Sequence, residues 1–215
     1  MKPSDFFFGA MDFFAILLPG VVLTFLLSPW SSAVFGPMLP RLNSEAEQWI
    51  AFAICSYFFG HLLHQLGSLL DNIYDTHYVG KKRRFGEENL LKETRQLVKA
   101  ELGEKSEGLS MFSWAGSYVR AHNSAAGAEL ERAGADSKFF RSLCLLAIFA
   151  IGLFVLQGEL LAALVSWGLA VFSFKRFCKQ RWETSQRTYE YFVQLKNEGR
   201  TTAAMPKPAG TNSAE

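Results

Sequence analysis

Apolar residues fall into four blocks along this chain, and charged residues lie almost wholly outside them. The blocks run from Phe8 to Leu27, Trp49 to Leu70, Phe139 to Leu156 and Leu160 to Phe174. A soluble domain mixes apolar and polar positions at a helical or strand period instead of segregating them. A helix needs roughly 20 mainly apolar residues to cross a bilayer. The first two blocks meet that length, and the last two lie near its lower limit, with Phe139, Phe140, Phe174 and Phe177 placed to extend them into the interfaces. Pro19-Gly20 sits inside the first block, where a transmembrane helix tolerates what a soluble helix does not. Gln157-Gly158-Glu159 joins the last two blocks into a tight hairpin. The pattern predicts an all-α integral membrane protein with four transmembrane helices in two hairpins.

The loops set the orientation. Arg41 is the one basic residue between the first two blocks, and the hairpin tip has none. The segment between the second and third blocks carries Lys81, Lys82, Arg83, Arg84, Lys92, Arg95, Lys99, Lys105, Arg120, Arg132 and Lys138, and the tail is also rich in Lys and Arg. Basic loops stay in the cytoplasm. The alternation places the N-terminus, the C-terminus and the long middle segment there.

Within that middle segment, Glu87 to Leu102 reads as an amphipathic helix with Leu90, Leu91, Leu97, Val98 and Leu102 on one face and Gly103 to end it. Ser110 is placed to cap a helix through about His122. Asn123-Ser124 then starts a helix that runs unbroken into the third block, and the fourth block continues without a breaker to about Asn197. Two membrane helices would thus project on the order of 20–30 Å into the cytoplasm as a stalk. The resulting division is a first transmembrane pair over 1–76, a cytoplasmic helical region over 77–138, a second transmembrane hairpin over 139–175, a cytoplasmic helix over 176–200 and a disordered tail over 201–215.

The second block carries the densest polar pattern. His61, His64, Ser68, Asp71 and Asp75 follow one another at intervals of 3, 4, 3 and 4 and share one helical face, with Gly60 and Gly67 beside them. Polar groups in hydrocarbon face protein or water, and small residues let helices approach closely. Asp12 of the first helix reaches a similar depth and is expected to pair with one of the histidines. Four chemistries fit this cluster: an interhelical hydrogen-bonded seam, a proton or ion path through Asp12, His61 and His64, a metal site, and a Mg²⁺–diphosphate site at Asp71 and Asp75. His-x-x-His offers two zinc ligands and needs a third, which only Asp12 is near enough to supply, since Asp71 lies on the order of 10 Å from His64 along the axis. A lone Asp-rich run lacks the second carboxylate motif that diphosphate chemistry uses. Lys81, Lys82, Arg83 and Arg84 lie just past a membrane exit, where they fix topology or bind anionic lipid headgroups.

Composition changes little. Net charge is +2, so total charge singles out no partner. Cys55, Cys144 and Cys178 have neither metal nor disulfide spacing and read as packing residues in a reducing compartment. Asp5 and Asp12 spoil the basic leader of a signal peptide. No nucleophile motif, phosphate loop or dinucleotide fingerprint occurs, and no nucleic-acid module. No cofactor is expected, and enzymatic activity is not the leading expectation.

Three stretches carry a resemblance: Asp12 through Gly20, Glu129 through Leu143, and Arg176 through Tyr191. On these the chain resembles a group of uncharacterised four-span bacterial inner-membrane proteins. The resemblance covers most of the chain and implies a bacterial inner membrane. It implies no activity. The expected function is that of a non-catalytic scaffold, partner anchor or oligomeric membrane effector. Its partners would be the bilayer and either further copies of itself or a cytoplasmic protein. The alternative is an oligomeric proton or cation channel or transporter that uses the polar face of the second helix.

Overall fold

A computed structural model describes residues 15–28, 44–80, 89–103 and 108–204, all of them helical or in the turns and short links between helices. The helices are α1 (Ala15–Ser28), α2 (Glu45–Ile73), α3 (Asn89–Leu102), α4 (Met111–His122), α5 (Ser124–Leu156) and α6 (Leu160–Ala204). A π-helical turn, Tyr74–Val79, continues α2. Asp12, Lys81, Lys82, Arg83 and Arg84 lie outside the described residues.

Local chemistry sets the helix ends. Ser44 opens α2 with a capping box: its hydroxyl accepts from the Glu47 amide at 3.2 Å, while its own amide donates to the Glu47 carboxylate at 3.2 Å. Ser110 accepts from the Ser113 amide at the start of α4. Asn123 serves two helices: its amide donates to Val119 O, and its side-chain oxygen accepts from the Ala126 amide at 3.0 Å. Gly158, at φ 79°, lets the chain leave α5. There the Glu159 amide donates to Phe154 O and the Gly158 amide to Val155 O, the two bonds of a Schellman motif.

Three of the helices are long and apolar enough to cross a membrane: α2 with its continuation, α5 and α6. Their most apolar windows are only 22%, 33% and 28% buried within the protein. The outward faces carry large exposed side chains such as Ile54, Phe58 and Leu69 on α2 and Leu161, Leu164 and Phe172 on α6. A water-soluble protein does not leave so extensive an apolar surface uncovered, and these are the marks of a membrane protein. The shorter apolar helix α1 accompanies them.

The chain divides into two compact units. The first contains α1, α2 and residues Glu131–Glu183 of α5 and α6. Here α1 and α2 pack backbone on backbone: a Cβ at Gly20 would overlap Ser56 O, and one at Gly60 would overlap Ile16 O. Thr24 and Ser56 join their hydroxyls across the contact at 3.2 Å. Leu23, Leu63 and Leu146 pack together between α1, α2 and α5. Leu70, Tyr74, Cys144, Phe177 and Cys178 form a second core beside them. The other unit holds α3, α4, the start of α5 and α6 from Thr184 onward. Its core is Val98, Ala115, Val119, Ala126, Leu130, Tyr189, Phe192 and Val193. Glu129 ties α5 to α6 there, accepting from both Arg187 and Tyr191.

Candidate functional site: a charged seam among apolar helices

The buried face of α2 is Ser56, Gly60, Leu63, Gly67 and Leu70. At about 100° per residue, the polar row sits next to this face, displaced around the helix. His64 and Asp71 fall nearest to it, about 40° and 20° from the Gly60 direction, and His61, Ser68 and Asp75 lie farther round. That geometry divides the five residues. His64 and Asp71 enter the interior contact. Ser68 is exposed and returns its hydroxyl to Gln65 O of its own helix. Asp75 is exposed in the π-helical turn. His61 packs edge-on against Tyr57, one turn back, with ring centroids 4.5 Å apart.

Two arginines meet Asp71. Arg141 of α5 donates through one terminal nitrogen to Asp71 Oδ2 at 2.8 Å, and Arg181 of α6 donates to Asp71 Oδ1 at 3.0 Å. One carboxylate thus joins three helices. Arg141 is buried, and its path under α2 passes close to Gly67: a Cβ there would stand 3.0 Å from Arg141 Nε and 3.1 Å from its Cγ, so the arginine would have to shift by a few tenths of an ångström. The second terminal nitrogen of Arg141 donates to His64 O at 3.3 Å and lies 3.4 Å from the His64 ring nitrogens. Among the described residues its Nε, buried as it is, has no hydrogen-bond partner. Arg181 is more open and lies over the rings of Tyr74 and Phe177, 5.3 and 5.9 Å from their centroids. Tyr78 stacks on Tyr74 and meets Trp182 edge-on, so the π-helical turn belongs to the same aromatic seat.

A charge taken from water into an apolar layer is costly unless it is paired and hydrogen-bonded. The seam meets that cost by sharing: each Asp71 oxygen has its own guanidinium, and the cation–π contacts support the less buried arginine. Among the described residues, no three His, Cys, Asp or Glu side chains converge as metal ligands. The expected pairing of Asp12 with a histidine lies outside the described residues.

Arg141 and Arg181 are the site residues that the hydropathy pattern passes over. A usable signal exists for the first, because Arg141 stands inside an apolar block and a cation there requires an anion at matching depth. Arg181 carries no such mark, since it lies among other basic residues beyond the last block. No protein-family model matches the chain, and neither a curated protein nor a solved structure matches it.

Proposed function

We propose that the chain is a non-catalytic multi-pass membrane protein: a scaffold, partner anchor or oligomeric effector of a bacterial inner membrane. It crosses four times, with both termini and the polar helical region in the cytoplasm. The supporting observation is the self-contained seam. The Asp71 carboxylate, the most enclosed acid of the polar row, is held by an arginine on each oxygen, which is how a structural charge is kept in a membrane and not how a general base or relay is presented. Its partners are the bilayer, further copies of the chain or a cytoplasmic protein, with Lys81, Lys82, Arg83 and Arg84 at the lipid headgroups.

The test is substitution of Asp71 by Ala in protein purified in detergent, with assembly state measured beside proton flux in liposomes. Loss of assembly supports the scaffold. Loss of flux with assembly intact overturns it.

A second reading, an oligomeric proton or cation channel through Asp12, His61 and His64, draws on one feature. Ser68 and Asp75 stay exposed together with Gln65 and Asn72 on a helix whose outward face also carries Ile54, Phe58 and Leu69, and polar side chains so placed fit a water-filled path between copies. In liposomes His61→Ala would then abolish flux and leave the oligomer unchanged.

A further inference from the structure

In the second unit, Lys196 of α6 reaches into a box of rings. Its ammonium lies 4.2 Å from the Tyr118 ring centroid and 5.9 Å from those of Trp114 and Phe192. Trp114 and Tyr118 are stacked, and Phe192 stands edge-on to both. The Glu101 carboxylate closes the remaining side at 2.5 Å. The Lys196 side chain is only 17% exposed, so the charge is held largely away from water. Glu101 lies in the last turn of α3, Trp114 and Tyr118 lie on α4, and Phe192 and Lys196 lie on α6.

Apart from this contact, α3 is weakly held. Thr94 and Val98 are its buried residues, with Leu90, Leu91, Leu97 and Leu102 partly covered. The Thr94 hydroxyl is buried with no hydrogen-bond partner among the described residues, and an unsatisfied buried hydroxyl opposes docking. An amphipathic helix that buries so little owes much of its attachment to whatever else fastens it.

We propose that Lys196, Glu101 and the rings of Trp114, Tyr118 and Phe192 form a charge-dependent latch that straps α3 onto its unit. The ammonium does two things at once. It pairs with the carboxylate of α3, and it binds the aromatic faces of α4 and α6, which a neutral side chain of similar length cannot do. With the charge removed, α3 comes away and turns its leucine stripe to solvent, while α4 and the ends of α5 and α6 stay packed around Val119, Leu130 and Phe192. The latch is a property of this unit and stands whether or not the membrane reading does.

Amide exchange of the full-length protein in detergent tests it. Lys196→Met should raise exchange across Asn89–Leu102 about tenfold, as local opening does, with Met111–His122 changed far less. Lys196→Arg should hold α3 within about twofold of the parent, because a guanidinium satisfies both carboxylate and rings. Thr94→Val should slow α3 exchange, since it removes the unsatisfied hydroxyl and keeps the shape. The latch is overturned if Lys196→Met leaves α3 unchanged, if it loosens α4 by the same factor, or if Lys196→Arg opens α3 as far as Met does.

Discussion

Asp71 carries more consequence than any other residue described. It neutralises a buried arginine and a half-open one, so its removal strands positive charge against apolar helices. Asp71→Ala should lower stability in detergent by about 3–5 kcal/mol, the usual cost of breaking a buried pair from one side. Arg141→Met should cost less, because Arg181 still satisfies Asp71 and methionine fills the channel over Gly67. Combining Asp71→Ala with Arg141→Met should cost less than the sum of the two single changes, since the double variant strands only the partly exposed Arg181. Thermal unfolding of the four proteins measures the coupling, and additive losses would show that the pair is not a unit. The acidic half of this seam is legible in the chain, because His64 stands inside an apolar block and Asp71 directly follows that block on the same helical face. The basic half is not. Periodicity puts five polar residues on one face of α2, but only the partner helices decide which of them turn inward. Gly67 leaves Arg141 room beside that face.

At the scale of elements, the breakers carry most of the information. Ser110, Asn123 and Gly158 mark helix ends from the sequence because each supplies a cap or a backbone angle that a helix interior does not want. The π-helical turn after Ile73 has no such mark: no proline or glycine falls within Tyr74–Val79, and the stacking of Tyr74 and Tyr78 accompanies the turn. Glycines separate in the same way. Gly60 meets the backbone of α1, whereas none of the described residues lies within 4 Å of a Cβ added at Gly168. Gly60→Ala should therefore pry α1 from α2 and lower the melting temperature. Gly168→Ala should be neutral or stabilising by up to about 1 kcal/mol, since alanine is the better helix former where space allows. Equal effects at both positions would contradict the backbone-on-backbone contact. The two units should also respond to different forces. Lipid tails are as apolar as leucine, so association of the spanning helices α2, α5 and α6 rests on close packing and polar pairs. In the proposed cytoplasmic placement of the other unit, burial from water holds the Val98–Phe192 core. Phe192→Ala should cost that unit about 3–5 kcal/mol.

For the whole molecule, the open quantity is how many times the chain crosses, and the distribution of charge makes it measurable. Three helices have the length and apolarity to span, and the proposed fourth begins before the described part of α1. An odd number of crossings would put the two ends on opposite sides, and an even number would put them together. Basic residues gather between the second and third blocks and after the fourth, while the link at Gln157-Gly158-Glu159 has none. In the proposed arrangement the first block crosses as well, which puts the N-terminus on the same side as the Lys81–Arg84 run. Single cysteines at Ser4, Gln157 and Ser213, introduced into a chain whose native cysteines are replaced by serine or alanine, test this directly. A thiol reagent that cannot enter intact cells should label position 157 alone. Labelling of position 4 in intact cells would leave three crossings and remove the first hairpin. Labelling of position 213 would reverse the last one.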